Sequence, residues 1–204
     1  MKTILQLTSS IFGDGGQSTV LARELVEALR AQDPNARVIA RDLATDPVPH
    51  LTAERFAAFT AEEPTAQERE VRDYSDRLIA ELREADLIVV GLPMYNFGVP
   101  SQLKAWFDHV ARAGVTFRYE SHGPVGLLAG RKAIVLATRG GRYAGSALDT
   151  QSQWVRDIFA FIGIRDVDFI YVEGLARGGD ARADSVAYAR TVIRELAGAA
   201  RAAA

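Results

Sequence analysis

"DLIVVGLPMYNFGVPSQLKAWFD" (residues 86–108) reads as a buried strand, a loop and a helix in succession. The run from Asp86 to Leu92 is apolar almost without interruption and rich in β-branched residues, the pattern of a strand covered on both faces. Leu103, Trp106, Phe107 and Val110 recur at helical spacing, with Pro100 expected in the first turn. Between them, Met94, Tyr95 and Phe97 stand beside Asn96, Gly98 and two prolines. Exposed loops at strand ends rarely carry three large apolar side chains without something to pack against. A planar heterocycle would suit them, with aromatic and thioether faces on the ring and backbone amides at its edge.

The same alternation runs outward through the chain. Further apolar strands are read at 3–7, 132–138 and 167–173, with a weaker one at 36–42. Helical stripes lie between them. One is Leu21, Leu25, Ala28 and Leu29. A second is Val71, Tyr74, Leu78 and Leu82, behind the capping-box pattern Thr65-x-x-Glu68. A third is Trp154, Ile158, Phe161 and Ile162, closed by Gly163, and the last is Val186, Ala189, Ile193 and Leu196. The alanine-rich tail beyond is expected to fray. Strands alternating with helices imply right-handed crossovers and a parallel sheet covered on both sides. Five of each fit an α/β, flavodoxin-like, doubly wound sheet of order 2-1-3-4-5, with a ligand crevice at the carboxyl ends of strands 1 and 3. Residues 1–204 read as a single domain. Two insertions are expected, at about 43–64 with a short helix near 52–60, and at about 114–130 as a hairpin-type excursion. Ordered loops of that length are usually functional, as lids or interface elements.

Composition bounds the function. The chain has 204 residues, a formal net charge of −2 and no basic stripe, which argues against nucleic acid as a partner. It has no cysteine, so thiol catalysis, disulfides and zinc-thiolate sites are excluded. His50, His109 and His122 lack metal-ligand spacing, and no metal site is expected. "MKTILQL" is too short for a signal h-region, and "LIVVGLPMY" is too short to span a membrane, so a cytoplasmic protein without membrane association is expected.

"SSIFGDGGQST" (residues 9–19) follows the first strand. A dinucleotide fingerprint needs a third glycine where Ser18 stands, although Asp42 mimics its acidic ribose ligand; a triphosphate loop needs a lysine where Gln17 stands. What remains is a hydroxyl-rich loop opening a helix, whose free N–H groups and positive dipole end suit a phosphate. No Lys or Arg lies between Thr3 and Ala22, so neutral donors and dipoles would hold it. The competing reading is an ordinary helix cap at Gly16–Ser18. A third loop, "TRGG" (138–141), follows the fourth strand, and Gly140 and Gly141 let backbone approach a ring closely.

With these loops in place, the chain resembles the FMN-dependent NADH azoreductases of the flavodoxin-like quinone reductase group. The matches span nearly the whole chain: "SS" at 9–10, "QS" at 17–18, "RDLA" at 41–44, "PMYNF" at 93–97, "QLK" at 102–104, "ARAGVTFRY" at 111–119, "RGG" at 139–141 and "FIGI" at 161–164. The resemblance implies that Ser10, Gly16, Gln17 and Ser18 bind the FMN phosphate. It implies that Met94, Tyr95, Asn96 and Phe97 contact the ring and ribityl chain, and that Thr138, Arg139, Gly140 and Gly141 flank the ring. It also implies a homodimer with two sites at the interface, their substrate pockets lined by Phe117, Phe161 and Tyr143.

The activity implied is ping-pong hydride transfer: NADH or NADPH reduces the flavin at N5 and leaves, and a quinone or azo compound then takes its place. The flavin carries the chemistry, and no side chain is assigned as a catalytic acid or base. Arg112 and Arg118 read as surface ion pairs rather than nucleotide ligands. Two rival readings are a non-catalytic FMN electron carrier and a flavin- or nucleotide-sensing domain.

Overall fold

The computed structural model describes residues 2–202. Five strands form a parallel sheet: β1 (Thr3–Thr8), β2 (Arg37–Asp42), β3 (Leu87–Pro93), β6 (Lys132–Thr138) and β7 (Asp166–Val172). Their order is β2-β1-β3-β6-β7. Counting only these five gives 2-1-3-4-5, as expected. The two other strands, β4 (Phe117–Glu120) and β5 (Gly123–Gly126), form a separate antiparallel hairpin within the second insertion.

Period-two alternation divides the core. Leu5, Leu7, Ile88, Val90, Ala133 and Val135 face α3 (Ala66–Glu84), α4 (Ser101–Val110) and α5 (Thr150–Ile162). Ile4, Val89, Ile134 and Leu136 face α1 (Gln17–Gln32) and α6 (Gly179–Ala202). The β3 and β6 strands, buried on both sides, are the near-continuous apolar runs of the sequence.

Local signals set the helix ends. Thr65 and Glu68 close a reciprocal capping box at the start of α3. Gly163 ends α5 in the left-handed conformation, with φ of 105°. The short helix of the first insertion is α2 (Ala53–Thr60), capped by Thr52.

Three expectations need correction. Pro100 is the N-cap of α4 rather than a first-turn residue, because its ψ of 138° is still extended. Of the expected α5 stripe, Ile162 is fully buried, but Trp154, Ile158 and Phe161 are only partly so; the other deep apolar residues are Val155 and Phe159, one step round. The alanine-rich tail, expected to fray, is helical as far as Ala202, and residues 203–204 lie outside the described residues.

Candidate active site

The carboxyl ends of β1, β3 and β6 bring the three predicted loops together. Gly91 of β3 is what lets α1 begin there. A Cβ at 91 would stand 2.8 Å from the carbonyl oxygen of Ser18, so only glycine allows the first turn of α1 to lie against β3.

That first turn has no side-chain cap. Its N-cap is Gly16, which has no side chain to cap the helix, and no first-turn carboxylate substitutes. The leading N–H groups of a helix have no intrahelical acceptors. Ser18 and Thr19 are buried, at 1% and 3% exposure, and neither hydroxyl has a hydrogen-bond partner among the described residues. Burying an unpaired hydroxyl costs on the order of 1–3 kcal/mol, so the arrangement favours an added acceptor. The helix cap expected within Gly16–Ser18 thus falls on Gly16, and it leaves the Ser18 hydroxyl without a partner. Ser9 and Ser10 are also buried, but Ser9 Oγ donates to the Gly91 carbonyl and Ser10 Oγ accepts from the Phe12 N–H. Asp42, the mimic of a ribose ligand, turns its carboxylate onto the Ala44 N–H instead.

The β3 loop folds back on itself. Tyr95 and Gly98 exchange two backbone hydrogen bonds, Tyr95 N–H to Gly98 O at 3.2 Å and Gly98 N–H to Tyr95 O at 2.9 Å. The two residues between, Asn96 (φ 49°) and Phe97 (φ 65°), are both left-handed, the pattern of a type I′ turn. Asparagine tolerates that region; phenylalanine is strained there, by roughly 1–2 kcal/mol. Such strain persists only where surroundings enforce it, and it concentrates at functional sites. The Tyr95 hydroxyl reaches the first loop, accepting from the Ile11 N–H at 3.1 Å and lying 3.4 Å from Ser10 Oγ.

The β6 loop is laced to the segment after β7. Carbonyls of Arg139, Gly140 and Gly141 accept from the N–H groups of Leu175, Ala176 and Gly174. The loop's remaining backbone offering to a ligand is therefore N–H. Thr138 ends the strand, its carbonyl accepting from the Met94 N–H at 3.0 Å. The Arg139 side chain does not point to the crevice. It is wholly buried, paired with Asp149 (2.7 Å) and Glu173 (3.2 Å), bonded to Ser152 Oγ (2.8 Å) and stacked on Tyr171. Burial would raise the Asp149 carboxyl, but the Arg139 guanidinium and the Ser152 N–H outweigh it and hold it below the usual carboxylate range. Asp149 is also the N-cap of α5, so this buried network fixes where α5 begins. Glu173 additionally accepts from the N–H groups of Tyr143 and Ala144.

Tyr143 lies over this loop. Its ring meets Phe97 edge-on at 5.5 Å, and a Cβ at Gly141 would fall 2.5 Å from it. A side chain at 141 would therefore have to displace the Tyr143 ring. Phe117 and Phe161 pack on each other, with centroids 4.2 Å apart, but at the opposite end of the molecule. Helix α5 starts at the crevice, where Thr150 Oγ1 donates to the Phe97 carbonyl. Phe161 is near its far end, roughly 16 Å along the axis. There the hairpin backbone docks, with the Leu128 N–H donating to the Ile162 carbonyl at 2.9 Å. Arg118 pairs with Glu120 at the surface, as expected, whereas Arg112 is buried and pairs with Asp76 at 2.6 Å.

A cavity of about 570 Å³ lies elsewhere, between α2 and α3, lined by Thr52, Arg55, Gln67 and Val71 among others. Both helix starts beside it are already capped by Thr52 and Thr65, so it lacks the free N–H groups of α1. Among the described residues no cluster of three or more His, Asp or Glu side chains could hold a metal, and no helix is long and apolar enough to cross a membrane.

A glycine-opened helix start facing two loops across the carboxyl ends of a parallel sheet defines a nucleotide-binding domain of the doubly wound class. The chain belongs to the flavodoxin-like fold family, whose model matches residues 2–196. It is 54% identical to the FMN-dependent NADH:quinone oxidoreductase of Cellvibrio japonicus (strain Ueda107), over 87% of this chain and 90% of that one. It is 50% identical to the protein of that name from Alcanivorax borkumensis, over 93% and 97%. Among solved structures, the FMN-dependent NADH-azoreductase of Bacillus anthracis strain Ames Ancestor, in complex with FMN, superposes with a TM-score of 0.87 at 24% identity, covering 97% of this chain and 98% of that one.

Proposed function

We propose that the chain is an FMN-dependent oxidoreductase that draws on NADH or NADPH and reduces quinones and azo compounds. Relatives about half identical along nearly their whole length carry the quinone reductase name. The observation in this chain that carries the reading is the pair of buried, unpartnered hydroxyls in an uncapped first turn of α1. These residues fit a flavin phosphate. Gln17, Ser18 and the N–H groups behind Gly16 would hold it, with Ser10 beside them. Met94, Tyr95, Asn96 and Phe97 would meet the ring and ribityl chain, and the N–H groups of Gly140 and Gly141 its edge. Thr138 would contribute from the end of β6; Arg139 acts by holding the loop.

When bound, FMN supplies the two-electron hydride chemistry. The chain's part is to orient a flat reductant or acceptor against the ring and to exclude water between them. Reductant and acceptor would occupy the crevice in turn, a ping-pong order that parallel lines in double-reciprocal kinetics would reveal. No side chain is assigned as a general acid in this reading, and protons would come from solvent.

The chain would act as one domain and as a homodimer, the two insertions forming the contact. Phe117 and Phe161, remote from their own crevice, would then line the partner's, with Tyr143 at the mouth of each. Such an interface should bury more than roughly 1,200 Å² in total. A fully active monomer in sedimentation at assay concentrations would refute the shared site. Because the chain works on small cytoplasmic redox partners in this reading, no nucleic acid or membrane takes part.

The decisive experiment is the absorption spectrum of the FMN-loaded protein before and after anaerobic NADH. Bleaching of the visible flavin absorption supports the enzyme over a sensing domain. Rapid reoxidation by a quinone separates it from a carrier. Failure to bind FMN at micromolar concentrations would end the reading.

A further inference from the structure

Helix α5 touches the β3 loop through its first two residues, and one of them is a buried glutamine. Gln151 is 1% exposed, and its side-chain amide lies 3.0 Å from the carbonyl of Pro93 and 3.0 Å from the carbonyl of Gly98. Carbonyls only accept, so the end that faces them is the NH₂ group, which donates to both. The other end, Oε1, has no partner among the described residues. The residue is therefore accounted for by its two donors. Those donors bracket the strained turn: Pro93 ends β3 before it, and Gly98 closes it. Thr150 adds a third tie, Oγ1 donating at 2.5 Å to the carbonyl of Phe97, the residue in the left-handed region.

A type I′ turn demands a positive φ at both central residues, a demand phenylalanine meets only under strain, so this turn needs ties from outside to hold it. Those ties come from α5, whose start is itself fixed by Asp149 and the buried Arg139. We infer that Gln151, assisted by Thr150, is a positioning residue that clamps the 94–98 turn in its ring-facing form, and so sets the geometry of the bound flavin. This rests on the reading of residues 94–97 as the ring-side loop.

Two further features favour a clamp over general packing. Methionine or leucine would fill the same space without burying an unsatisfied oxygen, so the donors are the reason for the amide. The bonds also bind backbone rather than side chains. They fix the turn's path without engaging the side chains of Tyr95 or Phe97.

The test is Gln151→Met, which keeps length and volume but has no donor. Wild type and variant are titrated as apoprotein with FMN and with riboflavin. The visible circular dichroism of the bound flavin is recorded alongside the melting temperature of each apoprotein. A ring-side clamp predicts that affinity falls about tenfold for both flavins alike, and that the bound flavin's dichroism changes shape. Unchanged dichroism and affinities beside a lowered melting temperature would overturn the clamp and leave Gln151 as ordinary packing. Should Gln151→Met fail to fold, Thr150→Val removes only the tie to Phe97 at the surface. It should shift both flavin affinities in the same direction by a smaller factor, and equal affinity in that variant would overturn the proposal. If wild type takes up neither flavin, the fault lies with the site itself.

Discussion

The hydroxyl of Tyr95 accepts a hydrogen bond from the backbone N–H of Ile11 at 3.1 Å, so the loop after β3 is tied to the loop after β1 across the crevice. This bond joins the ring side of the proposed site to its phosphate side. Tyr95→Phe removes it while keeping the aromatic face. A single neutral hydrogen bond contributes about 0.5–1.5 kcal/mol, so FMN affinity should fall roughly two- to tenfold. Fluorescence titration of the apoprotein measures it; undiminished affinity would show that the tie is formed only in the absence of flavin.

Ser18→Ala separates the two ends of the flavin. A hydrogen bond to a charged group contributes about 1.5–3 kcal/mol, so FMN binding should weaken about ten- to a hundredfold. Riboflavin, which lacks the phosphate, should bind as before. Since Gly16 is the cap and Ser18 Oγ is unpartnered, apoprotein stability should hold or rise. Equal losses for both flavins would remove Ser18 from the phosphate site.

Gly141→Val should destabilise the apoprotein, because the new side chain meets the Tyr143 ring. Adding Tyr143→Ala should restore much of that stability, with a coupling of about 1 kcal/mol in a thermal or urea double-mutant cycle. If the backbone at 141 also meets the flavin edge, FMN affinity stays low in the double variant. Additive losses in stability would show that Tyr143 is not the obstacle.

His109 gives the molecule a pH dependence unrelated to the flavin. It is wholly buried, its Nδ1–H donates to the Ala105 carbonyl, and Nε2 has no partner. Phe59 and Tyr74 meet its ring edge-on. Burial pushes its pKa below the ordinary 6.5, and nearby Arg55 acts in the same direction, while Asp108 and the Ala105 bond oppose them. The unfolded chain therefore takes up a proton that the folded chain refuses. Stability should be flat above neutrality and decline as pH falls below 6.5, by up to about 1.4 kcal/mol per pH unit. Urea midpoints between pH 8 and 5 test this. His109→Leu should flatten the profile in that window, and a slope identical to wild type would exclude His109 as its source. Asp149 contributes outside it: its lowered carboxyl costs stability only as pH falls below 3.8.

Much of the sheet was legible because burial on both faces leaves a local mark. The strand expected at 132–138 is β6 to the residue, and those at 86–92 and 167–173 are displaced by one. Thr65, Glu68 and Gly163 were equally readable, since capping and left-handed closure are properties of a few adjacent residues. The loops' convergence followed from topology alone. What the sequence could not disclose are contacts made at long range by unremarkable residues. Gln151 reaches Pro93 from 58 positions away, and no periodicity marks it. Arg139 looked like a loop arginine beside a ligand; its turn inward depends on Asp149 and Glu173 arriving from two other elements. Tyr143 over Gly141 likewise appears only once the loop is folded.

The remoteness of Phe161 from its own crevice has a genetic corollary. If each subunit walls the other's pocket, two defective chains can make a working one. A chain carrying Ser18→Ala and a chain carrying Phe161→Ala, each impaired alone when FMN is limiting, would leave one intact site in every mixed pair: the flavin cradle from the second, the wall from the first. Random re-pairing of equal amounts makes half the dimers mixed, so roughly a quarter of all sites should work. Activity regained on unfolding and refolding the two variants together, and not on simply mixing them when exchange is slow, would be complementation within a dimer. A mixture no more active than its parts would return the wall to the chain that carries it.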